Sequence, residues 1–124
     1  SSMTFAAPTS FFVQPRNIIG GHTIATFTAL ILDYFVNPDY VGFLPKWVAG
    51  AIAPAISTGL MTKVGLLHPP AAACAVIYVT GDDQVKNLGW LFFVIPVLFD
   101  SMISIILAVT INNVSKYRSF PLYW

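Results

Sequence analysis

Charge is the scarcest property of this chain. Six Lys or Arg and five Asp or Glu stand among 124 residues, 9% of the sequence, where a soluble domain carries about a quarter. A soluble fold of this size has much surface for its volume, and so few charges could not dress it. The shortage excludes a coiled coil, a disordered chain and a soluble enzyme. A formal net charge of +1 also excludes a nucleic-acid binder, which needs a basic stripe to neutralise phosphates. One cysteine, Cys74, excludes a disulfide framework and a Cys-based zinc site, and leaves the redox compartment open. Two histidines are too few for a metal site. No nucleotide loop and no credible Ser/His/Asp set is present, so no enzyme and no cofactor are expected. What is abundant is apolar: 56% hydrophobic residues and a mean hydropathy of +0.75. The chain therefore reads as one integral membrane domain over residues 1–124, with the lipid bilayer as its first partner.

A helix needs roughly 20 mostly apolar residues to cross a bilayer. Three stretches qualify: Asn17–Phe35, Lys46–Leu67 and Leu88–Ile111. Aromatic residues gather at their ends, with Tyr34 and Phe35 closing the first and Tyr40 and Phe43 following it, Trp47 and Trp90 opening the next two, and Tyr117, Tyr123 and Trp124 after the third. Trp and Tyr favour the headgroup layer because one end is apolar and the other hydrogen-bonds. Asn37-Pro38-Asp39-Tyr40 and Gly81-Asp82-Asp83-Gln84 are turns.

A fourth apolar run, Ala71–Thr80, follows His68-Pro69-Pro70. It would rise only about 15–18 Å as a helix, half of a core about 30 Å thick. Proline suits the first turn of a helix, where no N–H is required, so this run predicts a half-helix beginning near Pro70. The expected class is all-α: a small polytopic bundle with three full spans plus that half-helix. Ser1–Ala7 resembles Ala72–Tyr78 in its small-then-larger apolar order. Either the two patches mark a twofold repeat whose first helix is missing from this chain, in the manner of transporters, or two alanine-rich patches agree by chance.

Polar residues inside the spans come next. His22, Thr26, Ala29 and Asp33 are spaced 4, 3 and 4 and share a helix face. Gly21, Ala25, Ala29 and Ala51, Ala55, Gly59 form small-residue ladders that let helices approach closely. Asp100, with Ser101 and Ser104 near it, lies deep in the third stretch. A carboxylate there should face protein or a wet cavity, with Lys63, His22, His68 or a helix start as partner. Asn112 and Asn113 read as a cap. The opening of the first stretch, Gln14-Pro15-Arg16-Asn17-Ile18-Ile19-Gly20-Gly21-His22, looks suited to an anion: Arg16 offers a five-donor fork, helix amides point outward, and Gly20 and Gly21 bare the backbone. Ala71, Ala72 and Ala73 would add amides from a second helix start. The candidate binding residues are thus Arg16, Asn17, Gly20, Gly21, His22, His68, Ala71, Ala72 and Asp100, converging on one small monovalent anion.

The same residues carry a resemblance. His68-Pro69-Pro70-Ala71-Ala72-Ala73 resembles the signature of the HPP family of integral membrane proteins. Phe5-Ala6-Ala7-Pro8, Gln14 to His22, Gly89-Trp90, Pro96, Asn112-Asn113 and Tyr123-Trp124 match its other marks, in order, along essentially the whole chain. The resemblance implies a compact bundle of about four spans. Because some plant and cyanobacterial members are implicated in nitrite transport, it also implies nitrite-like cargo in a plastid membrane or a bacterial or plasma membrane. The resemblance implies two departures: a leading helix of the family is expected to be missing from this chain, and Ala72 stands where many members have Gly.

Two functions follow from different classes: a channel or carrier for a small monovalent anion, or a non-transporting structural subunit of a larger membrane assembly. Association as a homo-oligomer or with other membrane subunits is expected in both. The basic residues divide evenly, with Lys46, Lys116 and Arg118 on one side and Arg16, Lys63 and Lys86 on the other, so the positive-inside rule gives only a lean towards a cytoplasmic or stromal C-terminus.

Overall fold

The computed structural model describes residues 3–124; Ser1 and Ser2, the first two positions of the expected repeat, lie outside the described residues. Its elements are helical throughout: α1 (Met3–Ala6), a 3₁₀ turn over Phe11–Val13, α2 (Pro15–Val36), α3 (Lys46–Val64), α4 (Pro69–Thr80), α5 (Asp83–Lys86) and α6 (Phe99–Asn112), which continues a π-helical segment over Phe93–Leu98. Proline sets the starts. Pro15 occupies the first position of α2, Pro69 and Pro70 the first two of α4, and Pro45 caps α3. Gly65 ends α3 at φ 73°, a left-handed conformation that costs glycine nothing. Its N–H bonds Thr62 O at 3.2 Å while Leu66 N–H reaches Met61 O at 2.9 Å. The chain is thereby turned before His68-Pro69-Pro70, and the short helix expected there is found, twelve residues long.

Two of the three expected full spans are present among the described residues: Pro15–Val36 and Phe93–Asn112 are long and apolar enough to cross a bilayer. The middle stretch is corrected. Its helix stops at Val64, not Leu67, and Gly50, Ser57, Thr58, Gly59, Thr62 and Lys63 dilute its 19 residues, so it is not a third span by apolarity. The last stretch starts at Phe93, not Leu88, because residues 87–90 form turns that include Gly89 at φ 46°. The expected repeat is not matched in form either. α1 is four residues long and packs on α6, whereas α4 packs between α2 and α3.

Alanine builds the core. Ala25 and Ala29 of α2, Ala49 and Ala53 of α3, and Ala71 and Ala75 of α4 are fully buried, with Met61, Tyr78 and Val79 filling the gaps. Small side chains let the three helices come close, which substitutes for the hydrophobic drive that lipid does not supply. The Gly21–Ala25–Ala29 ladder is in this seam, as expected. The second expected ladder is not: Ala51, Ala55 and Gly59 are exposed, and α3 buries Ala49, Ala53, Ser57 and Met61 instead. Both stripes have i, i+4 spacing, so periodicity alone does not choose between them.

A smaller cluster ties the two chain ends together. Val13, Ala108 and Phe120 are buried with Met3 and Phe5 against them. Asn112 Nδ2 donates to Thr4 O at 3.3 Å, and Asn113 exchanges bonds with Phe120, its Nδ2 donating to Phe120 O at 2.6 Å and its Oδ1 accepting from Phe120 N–H at 3.1 Å. These two close α6 as anticipated. Gln14, fully buried, donates to Pro8 O and Ser10 O, both at 3.0 Å, and accepts Leu122 N–H at 2.9 Å. Gln14→Ala leaves the buried Pro8 carbonyl and the part-buried Leu122 N–H without this partner, and we expect it to cost about 1–3 kcal/mol. Gln14→Glu should not rescue, because a carboxylate cannot donate. Thermal unfolding in detergent checks both; a wild-type melting curve for Gln14→Ala would show that this clamp does not hold the C-terminal segment.

Candidate functional site

The start of α2 and the turn before α4 bring two of the expected residues into contact. The His22 and His68 rings lie 5.2 Å apart between centroids, tilted by 46°. Gly21 makes this approach possible: a Cβ there would sit 2.7 Å from His68 Cβ and 3.3 Å from Leu66 O. His22 Nδ1 is 2.8 Å from Ile18 O, and His68 Nδ1 is 2.6 Å from Phe12 O. A carbonyl only accepts, so each Nδ1 is the protonated nitrogen and each Nε2 faces away from its anchor. His68 is fully buried, and its Nε2 has no hydrogen-bond partner among the described residues.

Asn17 belongs to the same wall. It is fully buried; its Nδ2 donates to Phe11 O at 2.9 Å and to Leu67 O at 3.4 Å, tying α2 to the residue before His68. Its Oδ1 has no partner among the described residues. Gly20 is different from Gly21, since its Cβ position meets only the end of the Leu66 side chain. Ala71 and Ala72 are buried wall residues.

Three expectations are corrected. Arg16 is exposed and makes no hydrogen bond or ion pair among the described residues. Six positions along a helix turn it about 120° around α2 from His22, so its side chain does not converge with the two rings. The open helix starts are largely closed. Pro69 and Pro70 have no N–H, and Ala71 N–H is donated to His68 O at 2.9 Å; at α2, Pro15 has none, and Asn17 and Ile18 both donate to Gln14 O at 2.9 and 3.0 Å. Asp100 is exposed, with no hydrogen-bond partner among the described residues. The inward stripe of this helix is Val97, Ser101, Ile105, Ala108 and Asn112. Asp100 stands one position, about 100°, beside that stripe. Its carboxylate is near enough for its charge to act on His22 and Cys74.

Thr26 was legible only as a neighbour on the His22 face. It is fully buried, and its hydroxyl has no partner among the described residues. Thr23, Thr28 and Ser57 each donate to the carbonyl four residues back; Thr26 does not. Further along the same face, Asp33 pairs with Lys86 at 2.5 Å, their side chains only 10% and 9% exposed. The pair borders a cleft of about 480 Å³ lined by Tyr34, Tyr40, Tyr78 and Trp90. The cleft lies roughly 16 Å along α2 from His22. The signal for the pair was available in part, since a carboxylate inside a span demands a partner.

A family model described as the transmembrane region of HPP proteins matches residues 1–121. Two transmembrane proteins of Dictyostelium discoideum are similar to this chain, one 35% identical over 97% of it and the other 31% identical over 98% of it. The chain spans about two-fifths of their length, 41% and 38% respectively. No solved structure matches. With the family model covering nearly every residue and the two spans in place, this chain is a membrane-embedded member of the HPP transmembrane family.

Proposed function

We infer that the chain forms the path of a channel or carrier for a small monovalent anion, nitrite-like in size and charge. The observation that carries the reading is the His22–His68 pair. It is a polar site inside an alanine-walled bundle, with a buried nitrogen that has no hydrogen-bond partner among the described residues. Ionisable groups at membrane depth are costly and mark cargo paths. The resemblance to HPP members implicated in nitrite transport supports the same cargo. Arg16, exposed at the start of α2, would act at the mouth by raising the local concentration of anions, not by gripping one beside the histidines.

One observation favours a second reading, a non-transporting subunit of a larger membrane assembly: the closed helix starts leave few amides for an anion. Flux into liposomes separates the two. With the full chain reconstituted, nitrite uptake should exceed that of protein-free vesicles. Arg16→Ala should slow it severalfold without changing anion preference, and Arg16→Lys should slow it less. Uptake at the protein-free level for nitrite, formate, nitrate and chloride alike would rule out the transport reading and leave the subunit.

A further inference from the structure

The unsatisfied atoms around the histidines have a common character. With Nδ1–H of each ring committed to Ile18 O or Phe12 O, a neutral ring presents a lone pair at Nε2. Asn17 Oδ1 only accepts, because Nδ2 is used on Phe11 O and Leu67 O. Thr26 Oγ1, one turn beyond His22, can donate. A bare anion arriving here would meet mostly lone pairs. A ligand that brings its own proton would find an acceptor for it at once and a hydroxyl for its remaining oxygen.

We propose that His22, His68 and Thr26 form a site for a small weak monoprotic acid, so that the cargo crosses as an anion with one proton. This rests on the transport reading above. The balance is simple. The O–H bond of the acid breaks, its proton forms an N–H bond at Nε2 of one imidazole, and the electron pair stays on the conjugate base. On release the proton returns to that base. No electron is transferred and no atom is left behind. The intermediate is an imidazolium beside an anion, neutral as a pair, which suits a dry bundle better than either ion alone. The second ring, 5.2 Å away, offers the same proton a second lone pair.

The charged and titratable neighbours are few. On α6 the one charged residue is Asp100, exposed and one position beside the inward stripe, and on α4 the titratable residues are Cys74 and Tyr78. From α3 the neighbour is Met61, whose Sδ would lie 3.4 Å from a Gly21 Cβ; Lys63 of that helix is exposed. From the Phe11–Val13 turn it is only Phe12 O. Beyond Thr26, the same face of α2 passes the buried Ala29 before Asp33 and Lys86 at the aromatic cleft. Basicity of the anion then sets selectivity. Nitrite and formate are conjugate bases of weak acids and are accepted; nitrate and chloride, conjugate bases of strong acids, are not.

The test is the full chain in liposomes carrying a lumenal pH dye, with the membrane potential set by potassium and valinomycin. Protein-free vesicles give the leak of neutral acid through the bilayer, to be subtracted. Nitrite or formate uptake should acidify the lumen by one proton per anion, rise as the external pH falls, and ignore the potential. Nitrate and chloride should move at least tenfold more slowly. His68→Gln keeps an amide for Phe12 O but lacks the second nitrogen, and should lose at least tenfold in nitrite flux. Thr26→Val, close in shape, should lose severalfold and covers the case in which His68→Gln does not fold. Nitrite flux driven by potential without acidification would overturn proton coupling while leaving transport intact, as would equal rates for nitrite and nitrate. Flux of no anion above the protein-free level would remove the transport reading and this inference together.

Discussion

Lys86→Met should destabilise the protein by about 3–5 kcal/mol, the usual cost of stranding one member of a buried ion pair. The side chains of Asp33 and Lys86 are 10% and 9% exposed and 2.5 Å apart, so solvent screens them little. The pair links the last turns of α2 to α5, across 53 positions of sequence. Tyr78 OH adds a long bond to Lys86 O at 3.5 Å. Nothing else polar fastens this end of the bundle as tightly among the described residues, where the neighbouring contacts are aromatic. Tyr34 stacks on Tyr40 at 4.9 Å, and Tyr78 packs on Phe92 at 4.9 Å.

The sign of the double substitution is the sharper expectation. Asp33→Leu alone leaves Lys86 unpaired and should cost about as much as Lys86→Met. Asp33→Leu with Lys86→Met removes both charges together, and apolar replacement of a buried pair is often neutral. The double variant should therefore be markedly more stable than either single one. Unfolding in mixed micelles or bicelles measures all four states. Additive losses in the double variant would mean that the two side chains do not pair in the membrane.

Much of the architecture was legible because proline and glycine write it locally. Pro69-Pro70 announced the short helix, and Gly21 with Ala25 and Ala29 announced a close helix contact. His22 and His68 could be suspected of meeting because neither suits lipid and each was expected at a break in the backbone; His68 is at one, before α4, whereas His22 lies inside the continuous α2. The rest depended on facts that are not local. Lys86 looked like one more loop charge, and only folding brings it to Asp33. On α3, two small-residue stripes of equal spacing competed, and only contact with α4 selects Ala49–Ala53–Ser57. Asp100 was misjudged because depth along a helix says nothing about direction around it, and the π-helical turns over Phe93–Leu98, at Pro96, alter the register before it. The anion-friendly helix starts failed for a chemical reason that the sequence did contain. Proline supplies the fixed φ that opens a helix but takes away the N–H that an anion would use, and the next amides close back on His68 O and Gln14 O.

Gly20 and Gly21 look equivalent in the sequence, and their alanine variants should behave very differently. A Cβ at Gly20 meets the Leu66 methyl at 2.7 Å, the flexible end of a side chain that can rotate away. Gly20→Ala should therefore stay near wild-type stability, since alanine's better helix propensity, worth about 1 kcal/mol, offsets the adjustment. A Cβ at Gly21 meets His68 Cβ at 2.7 Å and Leu66 O at 3.3 Å, both fixed to the backbone. Neither can move without shifting the turn that starts α4. Gly21→Ala should cost about 1–3 kcal/mol through overpacking, despite the same gain in propensity. It should also push the His68 ring away from His22 and strain the bond from His68 Nδ1 to Phe12 O. Gly59→Ala supplies the control. Nothing lies within 4 Å of its Cβ position, so that variant should gain stability by about 1 kcal/mol. The ordering Gly59→Ala above Gly20→Ala, with Gly21→Ala well below wild type, is measured by unfolding in bicelles. Imidazole ¹⁵N shifts report separately whether the two Nδ1–H bonds survive. A Gly21→Ala protein as stable as Gly20→Ala, with both histidine tautomers unchanged, would mean that α2 and the turn before α4 are not in contact, and the paired-imidazole site would lose its structural basis.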